Sequence, residues 1–494
     1  MKSAFSPAIT ARWRFFAGLL LATLFSTLRP AGAAAPGAPV FRAGAATSNI
    51  TPSFGVLLDG TIMQIGPAKN VHDELHARCL VLDDGTERVA FVVCDNTMIA
   101  QFVIDRAKAL TAGQSKLAAH RILISATHTH SSPRAIGISD RPEDREYLDF
   151  MARRIADAVQ RAINNLAPAK IGWGSVPKPE YVHNRRWFVA NREQRTNPFG
   201  VSGEKVAMNP GRTGLIKPAG PVDPEVFVLS VRHADGRPLA VLANYGLHYI
   251  GGVPAGAISA DYYGVFCDRI QELLQADRQD PPFVGLMSNG TSGDVNAVDS
   301  SAPPGDFKPY ERMTQVAHDL AGAVRRVCDQ IEYRDWVPLA AKLVELPLRI
   351  RKPDAARLQW AKPLQVSGEA KSAAGRPLTR PEIYAREAMF LAQYPDRVSI
   401  RLQAIRIGEL GIAAIPAEVF AETGLAIKKA SPFKSTFTIE LANGYYGYLP
   451  TPEQHQWGGY ETWDARSSCL EISAEPAIRE TVLELLRAVR QGAG

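Results

Sequence analysis

Along the chain, some segments have the pattern of apolar positions that is typical of buried strands, and others have the pattern of apolar and polar positions that is typical of helices. Short apolar runs of the kind that form buried strands occur at residues 79–82, 89–94, 121–126, 226–231 and 239–244. Apolar residues recur at three- and four-residue spacing, as in amphipathic helices, at residues 146–164, 261–274 and 311–330. Strands that alternate with helices predict an α/β fold of layered mixed β-sheets flanked by helices.

Residues 36–494 are expected to form one large domain, because no Pro/Ser-rich or charged linker divides them. Residues 349–380 are polar and rich in Lys, Arg and Pro, which predicts a surface insertion. This insertion would lead into a helix at residues 382–393, and a final helix is expected at about residues 477–491.

The first 35 residues have the three parts of a secretory signal peptide. Lys2, Arg12 and Arg14 precede an apolar stretch at residues 15–25, and small residues at 31–35 form the expected cleavage region. The apolar stretch is shorter than the roughly 20 residues that a spanning helix needs. We therefore expect an exported protein, periplasmic or secreted.

The charge of the chain gives no sign of a nucleic-acid partner. The formal charge is +6, and removal of the signal peptide takes away four basic residues and no acidic residue, which leaves +2. The remaining basic residues are scattered and form no run that would bind phosphates.

The five cysteines are widely spaced and include no CxxC pair; they are Cys79, Cys94, Cys267, Cys328 and Cys469. Neither a zinc ribbon nor a dense disulfide framework is predicted, although one or two disulfides are left open.

The motif THTHSSP at residues 127–133 directly follows an apolar run. Side chains two apart on a strand point to the same side, so His128 and His130 could aim both imidazoles into one pocket. Neutral imidazole is a preferred zinc ligand, which makes this pair a candidate metal site. Exposed or packed histidines at the end of a strand are the alternative.

His248, Glu418 and the loop NGTSGDVN at residues 289–296 each directly follow an apolar run as well. The loop could supply oxyanion donors or be an ordinary glycine-rich turn. His248 alone would suggest a packed histidine. Three tyrosines within residues 445–448 would by themselves indicate aromatic packing.

Together these motifs resemble the neutral, non-lysosomal ceramidase family of zinc-dependent amide hydrolases. The similarity spans nearly all of the chain after the signal peptide, and its specificity comes from the joint order of individually modest motifs. They are AGAATSNITP at 43–52, the segment 72–80, THTHSSP at 127–133, Asn184-Arg185, NYGLH at 244–248, SADY at 259–262, GDV at 293–295, PAE at 416–418, and Tyr448 with Tyr460.

The resemblance implies a single catalytic domain in which four side chains bind a zinc ion: His128, His248, Glu418 and Tyr448. His130 and Arg185 would line the pocket around this ion. Tyr460, twelve residues after Tyr448 as in the family, would contact the reacting carbonyl.

The sequence departs from the family pattern in two places. Asn296 occupies the position of the family's active-site serine and cannot act as a nucleophile of that kind, although Ser292 is a neighbouring hydroxyl that could compensate. The sequence also ends soon after the expected final helix, where the family continues with a C-terminal β-sandwich domain. Both departures keep a substrate other than ceramide open.

With asparagine in place of the serine, the expected chemistry is metal-assisted hydrolysis. Bound zinc polarises a scissile carbonyl and lowers the pKa of a water molecule toward roughly 7. Tyr460, Arg185 and the loop around Asn296 would stabilise the tetrahedral oxyanion, each donor by on the order of 3 kcal/mol. His130 is the candidate for carrying a proton to the leaving amine.

The expected substrate is a lipid amide of the N-acylsphingosine type, cleaved to a fatty acid and an amine. Transient contact with a membrane surface would accompany such a substrate, and no protein partner is implied. One alternative is a zinc-dependent amidase or esterase that acts on a smaller molecule. Another is a catalytically silent, metal-binding periplasmic protein. Iron or manganese would also suit these ligands.

Overall fold

The computed structural model describes residues 39–59, 64–115, 117–133, 135–137, 141–364 and 377–492. The chain from Pro39 onward forms one compact unit. The expected signal peptide, residues 1–35, lies outside the described residues, as does the centre of the expected polar insertion, residues 365–376.

The strands follow one another along the chain as β1 (Arg42–Asn49), β2 (Leu57–Asp59), β3 (Gln64–Pro67), β4 (Asn70–Val71), β5 (His76–Asp83), β6 (Arg88–Cys94), β7 (Ile122–Ala126), β8 (Ala167–Pro177), β9 (His183–Asn184), β10 (Arg186–Val189), β11 (Val206–Met208), β12 (Leu215–Pro218), β13 (Glu225–His233), β14 (Pro238–Tyr245), β15 (Ala257–Ile258), β16 (Val284–Asn289), β17 (Val295–Asn296), β18 (Leu339–Arg349), β19 (Arg397–Ile407), β20 (Leu410–Ala414), β21 (Glu418–Val419), β22 (Ser435–Ile439) and β23 (Tyr448–Leu449). The α-helices are α1 (Gln101–Ser115), α2 (Pro142–Asn164), α3 (Asp261–Leu273), α4 (Glu311–Gln330), α5 (Ala355–Ala361), α6 (Arg380–Gln393), α7 (Ala421–Ala430), α8 (Pro452–Trp457) and α9 (Ala474–Gln491).

Two mixed sheets form the centre of the structure. The larger has eight strands in the order β16-β14-β13-β8-β1-β5-β6-β7, and the smaller has four in the order β18-β19-β20-β22. In the larger sheet the end pairs β14–β16 and β6–β7 are parallel and the pairs between them are antiparallel. In the smaller sheet only β20 and β22 are parallel.

The two sheets pack face to face through a shared apolar core. Successive residues of a strand point to opposite faces, so Leu80 of β5 packs in this core while Cys79 faces a helical layer. The rings of Phe227 on β13 and Phe437 on β22 have centroids 4.8 Å apart across the interface. Strands buried on both faces read as continuous apolar runs, which is why the sequence located them.

Helices cover the outer face of each sheet. The helices α1 and α2 pack on the half of the large sheet that contains β5, β6 and β7, and α3 and α4 pack on the half that contains β13, β14 and β16. The helices α7 and α9 cover the smaller sheet. The resulting helix, sheet, sheet, helix layering confirms the expected layered α/β fold.

The main difference from the sequence-based elements lies in the expected insertion at residues 349–380. The strand β18 extends as far as Arg349, and α5 occupies part of the segment. The side chain of Asp354 accepts a hydrogen bond from the Arg357 backbone N–H and so caps α5. Lysine and arginine are compatible with a helix, so part of the segment expected only as a surface insertion is helical.

Two further sequence questions are answered by the fold. All five cysteines are buried and free, so none of the disulfides left open is formed. Within the described ranges, no helix has both the length and the apolar character needed to cross a membrane.

Candidate metal centre and active-site pocket

His128 and His130 lie in the loop after β7, and their imidazole Nε2 atoms are 3.3 Å apart. The strand ends at Ala126, and His128 has a left-handed backbone with φ of 80°. This conformation costs a non-glycine residue on the order of 1–3 kcal/mol. The expected meeting of the two rings is confirmed, but a strained loop brings them together rather than the alternation of a strand.

His248, in the loop after β14, completes a buried three-histidine group that could hold a metal ion. Its Nε2 lies 3.1 Å from that of His128. His128 Nδ1 donates to the Thr97 carbonyl oxygen at 2.7 Å, and His248 Nδ1 donates to the Ser292 carbonyl oxygen at 2.9 Å. Carbonyl oxygens only accept, so in the neutral ring the Nε2 atoms of His128 and His248 carry the lone pairs, which face the centre of the group.

Glu418 brings a carboxylate to the same place and is 1% exposed. Its Oε1 accepts a hydrogen bond from the Tyr445 hydroxyl at 3.0 Å. Its Oε2 lies 3.3 Å from His128 Nε2 and 3.7 Å from His248 Nε2, and no hydrogen-bond donor from the described part of the chain reaches it. A buried carboxylate oxygen that faces imidazole lone pairs is unfavourable unless a cation or a proton lies between them.

The spacing of these atoms suits a metal ion. Four ligand atoms about 2.0–2.1 Å from a tetrahedral ion lie about 3.3–3.4 Å from one another. The separations among His128 Nε2, His248 Nε2 and Glu418 Oε2 are 3.1, 3.3 and 3.7 Å. Imidazole nitrogens together with a carboxylate are also a common catalytic ligand set. The residues present therefore fit a bound metal ion.

The electrostatic surroundings keep two of the imidazoles neutral. Burial, followed by the charges of His128 and Arg185, holds the pKa of His130 well below its usual range. Burial, followed by the charges of Arg185 and the other two histidines, does the same to the pKa of His248. Neutral imidazole is the form that binds a metal or accepts a proton.

Gly293 allows the loop after β16 to approach Glu418 closely. A Cβ at Gly293 would lie 2.5 Å from the Glu418 carbonyl oxygen, and the Gly293 N–H donates to the Val419 carbonyl oxygen at 2.9 Å. The neighbouring Asp294 accepts a hydrogen bond from the Asn184 side chain at 2.7 Å, and burial raises its pKa to about 6. The loop expected to supply oxyanion donors thus contacts two members of the candidate metal-ligand group, which consists of His128, His248 and Glu418.

Arg185 is buried beside the three histidines, with its Nη1 3.2 Å from His248 Nε2. Its Nε donates to Glu461 at 2.9 Å, and Glu461 also pairs with the fully buried Arg186. Burial favours the neutral acid, but Arg186 and Arg185 hold the pKa of Glu461 below its usual value. Two guanidinium groups share one carboxylate, which leaves positive charge beside the pocket and suits a developing oxyanion.

Tyr448 and Tyr460 lie beside Arg185. The strands β21 and β23 pair in parallel, which places Glu418 directly opposite Tyr448. The Arg185 guanidinium carbon is 5.3 Å from the centre of the Tyr448 ring, and the two tyrosine rings are 5.7 Å apart. Burial, followed by the Glu418 carboxylate, raises the pKa of both hydroxyls, so both can donate a hydrogen bond near neutral pH.

Asn296 lies on β17 in the wall of the pocket. Its Nδ2 donates to Asn209 Oδ1 at 2.8 Å, and its Oδ1 accepts from the Val298 N–H at 3.0 Å. Ser292 is fully buried, and its hydroxyl donates to Glu440 at 2.6 Å. The Ser292 hydroxyl is therefore committed inside the protein and is not placed as a replacement nucleophile.

A pocket of about 660 Å³ opens next to the metal-ligand group. His128 and Glu418 lie behind its lining, and the other residues singled out from the sequence line it: His130, Arg185, His248, Asn296, Tyr448 and Tyr460. Much of the remaining lining is apolar and includes Val206, Met208, Ile250, Val298, Ile383 and Trp463. The pocket therefore joins a polar reaction centre to walls that suit a hydrocarbon chain.

Four residues that contact the site were missed by the sequence reasoning. Tyr445 was assigned to aromatic packing, yet it holds Glu418. The ring of Tyr249 stacks on that of His130 with centroids 3.7 Å apart. The sequence reasoning also missed Thr97 and Glu461. Thr97 acts through its backbone carbonyl oxygen, and Glu461 acts through Arg185. The adjacency of Tyr249 to His248 and of Glu461 to Tyr460 was the only available signal.

The fold and this pocket are those of a hydrolase whose centre could hold a metal ion. The chain belongs to the neutral/alkaline non-lysosomal ceramidase family, because the profile of that family's N-terminal part matches residues 41–302, more than half of the chain. This confirms the family resemblance inferred from the sequence.

Solved structures of related proteins show the same fold. A neutral ceramidase from Pseudomonas aeruginosa superposes with a TM-score of 0.64 at 18% identity, over 92% of this chain and 75% of that chain. A structure described as a ceramidase complexed with C2 superposes with a TM-score of 0.66 at 18% identity, over 92% of this chain and 76% of the other. At this identity the likeness establishes the fold.

His455 on α8 predicts a pH dependence of stability. Burial, followed by the charges of Arg351 and Arg186, lowers the pKa of His455 from 6.5 to about 3. Between these values the unfolded chain binds a proton that the folded chain does not, so His455 reduces stability as the pH falls below 6.5. Urea unfolding at pH 7.5 and 5.5 should show that the wild type loses about 1 kcal/mol more than His455→Gln on acidification. Equal losses in both proteins would contradict this assignment.

Proposed function

We propose that this protein is a zinc-dependent amidohydrolase that cleaves a lipid amide of the N-acylsphingosine (ceramide) type to a fatty acid and an amine. Membership of the ceramidase family supports the substrate class. The observation that carries the zinc dependence is the convergence of buried imidazole nitrogens on a carboxylate oxygen that no donor among the described residues reaches. A metal ion at this point would bind all of these groups at once.

The proposed zinc ligands are His128, His248, Glu418 and Tyr448. Among the described residues, Glu418 Oε2 lies within ion-pair distance of His128 and His248 but makes no such contact with His130. This difference supports the choice of His130 as a pocket residue rather than a ligand. The direct pairing of Glu418 with Tyr448 supports the tyrosine as the fourth ligand. Since burial opposes ionisation of this phenol, its ligand role depends on the charge of the ion.

When bound, zinc would polarise the amide carbonyl and lower the pKa of a water molecule toward roughly 7, so no serine nucleophile is needed. Arg185 supplies positive charge at the pocket wall and Tyr460 supplies a neutral hydroxyl donor, both suited to the oxyanion of the tetrahedral intermediate. His130 is held neutral by its surroundings, which allows it to take a proton and pass it to the leaving amine. Asn296 is assigned to the pocket wall near the oxyanion.

The proposal also covers the export of the enzyme and its contact with a lipid surface. The signal-peptide pattern of residues 1–35 supports a periplasmic or secreted location. Val298 lines the pocket and is 60% exposed, which supports transient contact with a lipid surface during substrate uptake.

A second candidate function is hydrolysis of a smaller amide or ester by the same centre. Asn296 favours it, because the wall of the pocket differs from the family pattern at this position. Comparison of turnover on long-chain and short-chain amides and esters separates the two functions. A catalytically silent metal-binding protein would turn over none of them.

The zinc assignment is tested by metal content and by hydrolysis of a fluorescent N-acylsphingosine. We expect the purified protein to contain about one zinc ion per chain and to cleave the amide. His128→Ala should lose both properties, because it removes the nitrogen nearest to the other ligand atoms.

The matched control is His120→Ala, which replaces an exposed histidine. This variant should keep both zinc and activity. Zinc without turnover of any lipid amide would exclude this substrate class and favour the smaller substrates. A wild-type protein that takes up no zinc would refute the metal site.

Replacement of Tyr460 by phenylalanine tests its role as an oxyanion donor. Loss of one such donor costs about 3 kcal/mol, so Tyr460→Phe should lower kcat by about 10²-fold with the zinc content unchanged. Tyr446→Phe is the control, since the Tyr446 hydroxyl donates to Gln101 rather than facing the pocket. Steady-state kinetics with parallel metal analysis gives both readouts. An unchanged kcat for Tyr460→Phe would remove this residue from the mechanism.

A further inference from the structure

The Glu440 carboxylate, directly after β22, is fully buried behind the metal-ligand group. Its Oε1 accepts the Ser292 hydroxyl at 2.6 Å. Its Oε2 accepts the backbone N–H of Ser292 at 3.2 Å and that of Val419 at 2.7 Å. One side chain thus joins the loop after β16 to the strand β21.

Both partners of Glu440 lead directly to proposed ligands. The Ser292 carbonyl oxygen accepts the Nδ1–H of His248, which fixes the ring and its tautomer. Val419 is the residue after Glu418, and it also accepts the Gly293 N–H. The distance between His248 Nε2 and Glu418 Oε2 therefore depends on a bridge whose centre is Glu440.

The Glu440 carboxyl group is held by three hydrogen bonds. No Lys, Arg or His side chain forms an ion pair with Glu440 in the part of the chain that the structure describes, and its bonds come from two backbone amides and one hydroxyl. Burial raises the pKa of Glu440 well above its usual value. The contribution of this side chain therefore lies in its two acceptor oxygens, which hold donors from two segments of the chain.

We propose that Glu440 is a positioning residue for the metal, which holds His248 and Glu418 at ligand spacing. This inference rests on the proposed zinc-dependent function. It assigns Glu440 no contact with the substrate, because the side chain lies behind Ser292 and Val419.

Two substitutions test the bridge. Glu440→Gln keeps the volume but has one acceptor oxygen instead of two, so it cannot accept from both backbone amides and the Ser292 hydroxyl at once. Ser292→Ala removes the hydroxyl but keeps the carbonyl that holds His248. The matched control is Glu475→Gln, since Glu475 is 3% exposed and bonded to Thr423 and Arg479, away from the metal-ligand group.

Zinc affinity, measured by competition with a chromophoric chelator, is the primary readout. Loss of an outer-shell partner weakens metal binding by about 10–100-fold, and we expect Glu440→Gln to fall in this range. Ser292→Ala should lose less, and Glu475→Gln should match the wild type. The visible spectrum of the cobalt-loaded protein should also shift in Glu440→Gln only. The melting temperature of the metal-free variant should equal or exceed that of the wild type, because a neutral amide is less costly to bury than an ionisable carboxyl group.

A zinc affinity of Glu440→Gln within about twofold of the wild type would overturn the inference and leave the proposed function intact. An equal loss in Glu475→Gln, or a lower melting temperature of metal-free Glu440→Gln that accounts for the weaker binding, would reduce Glu440 to a structural role and also overturn it. A wild-type protein that binds no zinc would refute the proposed function and this inference together.

Discussion

The structure depends on one electrostatic constraint, which is that several electron-rich atoms meet at a buried position. The Nε2 atoms of His128 and His248 lie within 3.7 Å of an oxygen of Glu418 that no donor among the described residues reaches. Both imidazoles are turned inward by carbonyl acceptors on their other nitrogen. An arrangement of this kind is stable only around positive charge, which a metal ion bound there would provide with directional bonds.

The fold meets this constraint by bringing loops from both central sheets to one point. The large sheet supplies the histidines after β7 and β14, and the smaller sheet leads through β20 to Glu418 and through β22 to Tyr448. The face-to-face core between the sheets fixes these loops relative to one another. The backbone strain at His128 and the close approach at Gly293 are locally unfavourable. The packing of the two sheets stabilises the structure enough to maintain both.

The sequence predicted the layers well because buried strands and amphipathic helices leave strong periodic patterns. His128 and His130 were recognisable as a pair from their spacing, whereas His248 and Glu418 became candidate ligands only through the family resemblance. Tyr448 could be separated from its neighbours only through the family resemblance. Tyr445, Glu461 and Glu440 act through other side chains over long sequence separations, and no local pattern marks such contacts.

The central claim is that His128, His248 and Glu418 share one zinc ion, and diffraction from zinc-loaded crystals tests it most directly. An anomalous difference map recorded at the zinc edge should show one peak about 2.0–2.1 Å from His128 Nε2 and His248 Nε2, with an oxygen of Glu418 also in its coordination shell. A peak at any other position, or no peak at this group in zinc-loaded crystals, would contradict the account.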